Sequence, residues 1–427
     1  MEFYLLLSGF SISFTLPLAA ALMIRHFSEP LAEHILLEPR CAPLLSVMAF
    51  AIPCTSVHAC ICGYYYGKEK VSVPAASQLL EQMIRIFTVF LLVSVCIEKQ
   101  IPVTVSLAVF GLVAGEAGSA LFVLIFFLLF HEFHENTGRS YSVGPALLAL
   151  AAPLMANRLV LNLLQSTETI MIPERLTVYG LTRSQAVRTY GTLTGMAMPF
   201  VLFPSALVNS LAVVLLPVTA RHQSAGNDSG IADGISMSFR YSLYLGIFCI
   251  GVFTVFGETL GLQIFKSQDA GSFIQILAWL CPFLYLATSS GSILNGLGKT
   301  KLTFFHHLIS LLVRIAFVWF GIPEFGIRAC LWGMLAGELV LSLLHLYSLR
   351  RLVRYAPNAW AVIVKPSFCL ASALGIFSLF PDPLPLPGSL PPFFGTVLQI
   401  GLVCTGYLLF LLLFHKRPDH SSNSTVT

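Results

Sequence analysis

Twelve apolar stretches, each long enough to cross a membrane as a helix, follow one another with little chain between them. They lie near residues 3–25, 42–66, 80–98, 102–130, 143–166, 191–218, 238–257, 271–295, 302–321, 328–349, 359–380 and 393–414. A hydrocarbon core about 30 Å thick is spanned by roughly 20 helical residues. In lipid each backbone amide must find its partner inside the protein, so runs of this length are helices. The pattern predicts an all-α, polytopic membrane protein of about twelve transmembrane helices. Composition agrees: 56% of the 427 residues are hydrophobic and only 10% are charged, against roughly 25% charged in soluble domains. The run at 80–98 is the weakest, because Glu81 and Arg85 sit in its first turns. The first run has no basic leader and no cleavage motif, so it reads as a retained anchor and not a signal peptide.

The net charge of +4 is spread along the chain, and no Lys/Arg block is dense enough for nucleic acid. An even number of spans places both termini on one side. With the N-terminus inside, thirteen Lys/Arg fall in inner segments and eight in outer ones, which predicts cytoplasmic termini in a multi-pass cell-membrane protein. The ten cysteines lie mostly in apolar runs, Cys60-Ile61-Cys62 among them, and read as packing residues. No Cys/His spacing suits a metal, and no phosphate-cradling glycine loop or nucleophile elbow occurs. Gly191-Thr-Leu-Thr-Gly195 lacks the lysine of a nucleotide loop. The chain is expected to be no enzyme and to need no cofactor or metal. Six prolines between 381 and 392 predict a stiff outer connector.

An internal repeat organises these spans. Gly67-Lys-Glu-Lys70 leads to Arg85-Ile86 and Val89; Gly298-Lys-Thr-Lys301 leads to Arg314-Ile315 and Val318. In the following spans Gly111-Leu-Val-Ala-Gly-Glu116 matches Gly333-Met-Leu-Ala-Gly-Glu338. The repeat pairs the third and fourth spans with the ninth and tenth, so the unit is six spans in parallel topology. The expected organisation is a shortened N-terminal lobe (1–135, four spans), a six-helix C-terminal lobe (140–352), two additional spans (355–415) and a disordered cytoplasmic tail (416–427). The first lobe then stands two helices short of the second.

Ionisable groups at membrane depth are costly and usually face a bundle interior or a wet cavity. Arg158 lies well inside the fifth span, and Arg85 and Arg314 occupy matching repeat positions. Three guanidiniums in a bundle interior suit phosphate or pyrophosphate head groups, because guanidinium offers paired donors to phosphate oxygens. Glu81 stands four residues before Arg85, where an in-helix ion pair is the simpler reading; Arg314 has no such neighbour. Glu116 and Glu338, each after Ala-Gly, are expected to pair with an arginine on an adjacent helix or to couple an ion. His58 and His345 read as packed, neutral side chains. Pro199, Pro204 and Pro217 predict a kinked or broken sixth span.

Certain segments carry a family resemblance. Gly63-Tyr-Tyr-Tyr-Gly67, then Pro74-Ala-Ala-Ser-Gln78-Leu-Leu-Glu81-Gln82-Met-Ile-Arg85-Ile86, resembles the stage V sporulation protein B family. So does Ile172-Pro-Glu-Arg-Leu176 with Tyr179-Gly-Leu-Thr182, Tyr190-Gly-Thr-Leu-Thr-Gly-Met196 and Phe203-Pro204. That resemblance implies a flippase-like member of the polysaccharide-export and multidrug-exporter superfamily, usually fourteen helices in two six-helix lobes plus two. It also implies a lipid-linked peptidoglycan precursor as cargo, for spore cortex or cell wall, moved by rocking lobes around a cationic cavity. The lipid bilayer is the medium, and cell-wall synthases are further partners of such a protein. Relative to that pattern the first two helices are missing, and Cys62 stands where a basic residue is usual. Two other functions fit the same residues: a cation-coupled small-molecule exporter built on Glu116, and a non-transporting scaffold in cell-wall assembly.

Overall fold

The structure is a computed structural model that describes residues 2–68, 70, 72–130, 143–353, 360–378 and 392–415. Every regular element among the described residues is helical. The principal helices are α1 (Glu2–His26), α2 (Ala51–Gly67), α3 (Ser72–Glu98), α4 (Ser106–Phe130), α5 (Val143–Val178), α6 (Ser205–Ser224), α7 (Asp228–Phe265), α8 (Cys281–Gly296), α9 (Thr300–Ala316), α10 (Ile327–Val353), α11 (Lys365–Phe377) and α12 (Pro392–His415). Nine described helices are long and apolar enough to cross a membrane singly. Two bent pairs, Gly9–His26 with Ser28–Ile35 and Pro39–Met48 with Ala51–Gly67, raise the number to eleven. The segment expected at 143–166 lies within α5. The chain is thus an all-helical multi-pass membrane protein. The proline connector at 381–392 falls outside the described residues except for Pro392, and the tail at 416–427 wholly outside.

The chain divides into two compact units, Met1–Ala156 and Asn157–Thr427. In the first, α2 and α4 pack through Val57, Ile61, Tyr65, Val123 and Phe127, all buried. In the second, Leu176, Leu193, Val201, Phe253, Leu277 and Tyr285 belong to one buried cluster. Lipid tails are as apolar as leucine, so close packing and small residues hold such helices together more than apolar burial does.

Helix α5 runs twelve residues beyond the expected span and carries Glu168, Glu174 and Arg175 in its last turns. The polar stretch from Gln165 to Thr169 reads as a loop by hydropathy, but nothing in it breaks a helix. Thr167 instead donates its hydroxyl to the Leu163 carbonyl at 2.9 Å. The helix stops at Gly180, whose φ of 114° suits glycine alone. Thr182 then starts the next helix, Arg183–Thr192, with a capping box closed by Gln185.

The break expected in the sixth span is present. A π-helical turn at Leu193–Ala197 leads into Met198–Leu202, and Phe203-Pro204 separates this from α6. Pro199 and Pro204 each remove a backbone donor, and the π turn absorbs the mismatch. A second π turn, Phe317–Gly321, follows α9 and precedes Pro323. The last helix and the π turn Trp360–Val364 that leads into α11 are tied to α7: Tyr407 donates its hydroxyl to the Tyr244 carbonyl, and Tyr244 donates to that of Ala361, both at 3.0 Å.

Candidate functional site

The sequence repeat reappears as one packing motif built twice. In the first unit α3 crosses α4 with Gly111 against the carbonyl of Arg85 and Gly115 against that of Glu81; a β-carbon would come within 3.2 and 3.0 Å of those oxygens. In the second unit Gly333 lies against the carbonyl of Arg314 and Gly337 against that of Ser310, at 3.6 and 3.3 Å by the same measure. Paired glycines four residues apart let the backbones approach, and the helix-borne arginine sits at the crossing. Each unit therefore holds a guanidinium at the same place in an apolar helix pair.

The charge partners differ. In the first unit Arg85 Nη2 donates to Glu81 Oε1 at 2.5 Å and lies 3.7 Å from Glu116 Oε1. Glu116 also accepts from Thr55 Oγ1 at 3.0 Å. The in-helix ion pair expected from the spacing of Glu81 and Arg85 is thus formed. So is pairing of Glu116 with an arginine of the adjacent helix. His58 approaches Ser77 at 2.9 Å and Cys62 at 3.4 Å.

In the second unit Arg314 Nε donates to Glu168 Oε1 at 2.9 Å. Glu168 comes from α5 and is only 2% exposed. This is a partner the sequence reading missed: 146 residues separate the pair, and no local spacing signals it. The only cue was an acid in a polar patch that proves to be helical. Glu338, the repeat mate of Glu116, makes no equivalent bond, and its buried Oε2 has no hydrogen-bond partner among the described residues.

Arg314 and Glu168 line a cavity of about 170 Å³, together with Gln165, Thr169, Tyr190 and Thr194 and an apolar floor that includes Ile172 and Met334. The π turn at Leu193–Ala197 opens space here, since Leu193 and Thr194 are among the lining residues. A charged pair with amide and hydroxyl groups beside it, inside an otherwise apolar bundle, can take up an anion or a polyhydroxy group. It does so at lower cost than bare lipid, because donors and acceptors are already in place.

Arg158 sits elsewhere on α5. It is exposed, does not line this cavity, and forms no ion pair among the described residues. Ten residues at about 1.5 Å each put it some 15 Å along the helix from Glu168. His345 is fully buried against the Ala287 carbonyl at 3.2 Å, and its ring lies 5.0 Å from that of His306.

Known proteins resemble this chain in sequence or in fold. A family model described as polysaccharide biosynthesis protein matches residues 5–223. Stage V sporulation protein B of Bacillus subtilis (strain 168) is 25% identical over 350 residues, 80% of this chain and 67% of that protein. Among solved structures, lipid II flippase MurJ in an inward closed conformation superposes with a TM-score of 0.74 at 14% identity, covering 96% of this chain and 84% of that one. An inward-facing multidrug resistance MATE family transporter gives a TM-score of 0.61 at 13% identity, covering 80% and 79%. The expected flippase and MATE-like fold is therefore the fold observed.

Proposed function

This chain belongs to the polysaccharide biosynthesis protein family, and we propose that it is a flippase for a lipid-linked saccharide or peptidoglycan precursor, made for cell wall or spore cortex. The observation that carries the reading is the Arg314–Glu168 pair, set in a polar cavity inside apolar helices. A lipid-linked precursor has an anionic phosphate head, a polyhydroxy body and an oily tail. A guanidinium, amide and hydroxyl lining matches the first two, and the surrounding bilayer matches the third. The names of similar proteins support the same class: one is a sporulation protein and another a lipid II flippase.

In this reading Arg314 binds phosphate oxygens in the cavity, and Arg158, exposed about 15 Å along α5 from Glu168, supplies a separate cationic contact outside it. Arg85 serves the matching place in the first unit. Both termini are cytoplasmic, and two lobes rock around the cargo.

The test uses full-length protein in proteoliposomes carrying a polyprenyl-pyrophosphate-linked saccharide, with accessibility to an external enzyme as readout. Wild type is expected to expose the inner-leaflet pool. Arg158→Glu is expected to slow this at least tenfold with unchanged membrane insertion, since that side chain holds no structural pair. Absence of movement by wild type, or a full rate from Arg158→Glu, would overturn the proposal. Drug efflux conferred on a sensitive host by this chain would instead mark a small-molecule exporter.

A further inference from the structure

The first unit brings together three metal-ligating groups that the flippase reading does not use. One ring nitrogen of His58 and one carboxylate oxygen each from Glu81 and Glu116 lie within 4.8 Å of one another. They come from three different helices, α2, α3 and α4, so rigid elements set their positions. A point equidistant from three atoms at that spacing is about 2.8 Å from each. Zinc takes imidazole nitrogen at about 2.0–2.1 Å and carboxylate oxygen at about 2.0–2.2 Å. A side-chain adjustment below 1 Å would complete the shell.

We propose that His58, Glu81 and Glu116 form a binding site for one zinc ion, with the fourth position open to water. The surroundings are those of a ligand site. Thr55 donates to Glu116 at 3.0 Å and Ser77 bonds His58 at 2.9 Å, so both flanking ligands are oriented by hydroxyls. Such outer bonds fix the rotamers of ligands before the ion arrives.

Charge points the same way. Two carboxylates face one guanidinium, that of Arg85, whose Nη2 bonds Glu81 at 2.5 Å. Carboxylates outnumber the neighbouring guanidinium two to one, an arrangement that favours a further cation inside a membrane-spanning bundle. Glu81 is only 9% exposed, so water compensates it little. The second unit provides a contrast: there Ser310 stands where α3 has Glu81, and no such trio forms among its described residues. The mixed nitrogen and oxygen set disfavours calcium and magnesium, which prefer all-oxygen shells, and suits zinc. No spacing motif announced the site, because its ligands are scattered over 58 to 116.

The experiment uses full-length protein in detergent micelles, stripped with a chelator and titrated calorimetrically with zinc chloride. One equivalent is expected to bind. His58→Ala and Glu116→Gln are each expected to weaken binding at least tenfold, while His34→Ala, on an exposed segment, leaves it unchanged. If His58→Ala or Glu116→Gln fails to fold, Thr55→Val is the substitute; loss of an outer-shell bond is expected to weaken binding about tenfold. X-ray absorption of the loaded protein should show a nitrogen and oxygen shell. Failure of wild type to bind one equivalent, wild-type affinity in His58→Ala and Glu116→Gln, or a sulfur ligand would each overturn the assignment.

Discussion

The crossing of α3 with α4 and that of α9 with α10 share one skeleton and differ in how its arginine is neutralised. Both use a pair of glycines to bring backbones together beneath a guanidinium. In the first, Arg85 takes its acid from its own helix, one turn back, and from the helix it crosses. In the second, Arg314 reaches out to Glu168 on α5, and Glu338 Oε2 has no hydrogen-bond partner among the described residues. The difference teaches that close packing and charge compensation are separable. A repeat can keep the first while the second is reassigned to whichever helix lies nearby. The pair that recruits a third helix is also the one that borders a cavity.

The largest expected effect comes from breaking the shared part. A β-carbon on Gly337 would lie 2.6 Å from Arg314 Cγ, and one on Gly333 the same distance from Phe317 Cβ. The double substitution Gly333→Leu/Gly337→Leu is expected to abolish recovery of folded protein from detergent extracts, scored by size-exclusion chromatography. Overpacking costs about 1–3 kcal/mol per site, and here backbone and arginine must both move. Gly63→Leu, at a position with open space beside it, is the contrasting control and should fold.

The next effect separates the two charge schemes. Removing one partner of a buried ion pair costs about 3–5 kcal/mol, because the other charge is left stranded. Glu168→Gln is expected to lower the melting temperature of detergent-solubilised protein sharply, and Glu168→Gln/Arg314→Met to recover much of the loss. Glu81→Gln should be milder, because Arg85 is more exposed and keeps Glu116 within 3.7 Å. Equal melting temperatures for Glu168→Gln and Glu81→Gln would erase the distinction between the two crossings.

How much of this was readable from the residues follows from the range of the interactions. The helices were legible because lipid forces each apolar run to satisfy itself, and eleven spans with α5 fall on the twelve stretches. The glycine crossings were legible because the repeat preserves their spacing. The break before α6 was legible from Pro199 and Pro204. Glu168 was not, since hydropathy reads its polar neighbourhood as the end of a span, and pairing across 146 residues leaves no local mark. The meeting of His58 with Glu81 and Glu116 was hidden for the same reason: it depends on how three helices rotate about their axes, which single-sequence periodicity does not fix.

A smaller effect would sharpen the comparison by moving one scheme onto the other. Ser310 occupies the place of Glu81, and its hydroxyl donates to the Gly337 carbonyl at 2.9 Å. Ser310→Glu puts an acid one turn before Arg314, as Glu81 stands one turn before Arg85. In the Glu168→Gln background this change is expected to restore part of the lost stability. The gain should be about 1 kcal/mol after the lost Ser310 hydrogen bond, itself worth about 1 kcal/mol, is set against the new charge-assisted one. A thermal melt of the double variant against Glu168→Gln reads this directly. Rescue of folding without rescue of saccharide movement would be the informative result: it would mean that Arg314 needs compensation from any acid to fold, but from α5 in particular to work. A partner carried on α9 itself would keep Arg314 neutral in every state and so hold it back from a phosphate.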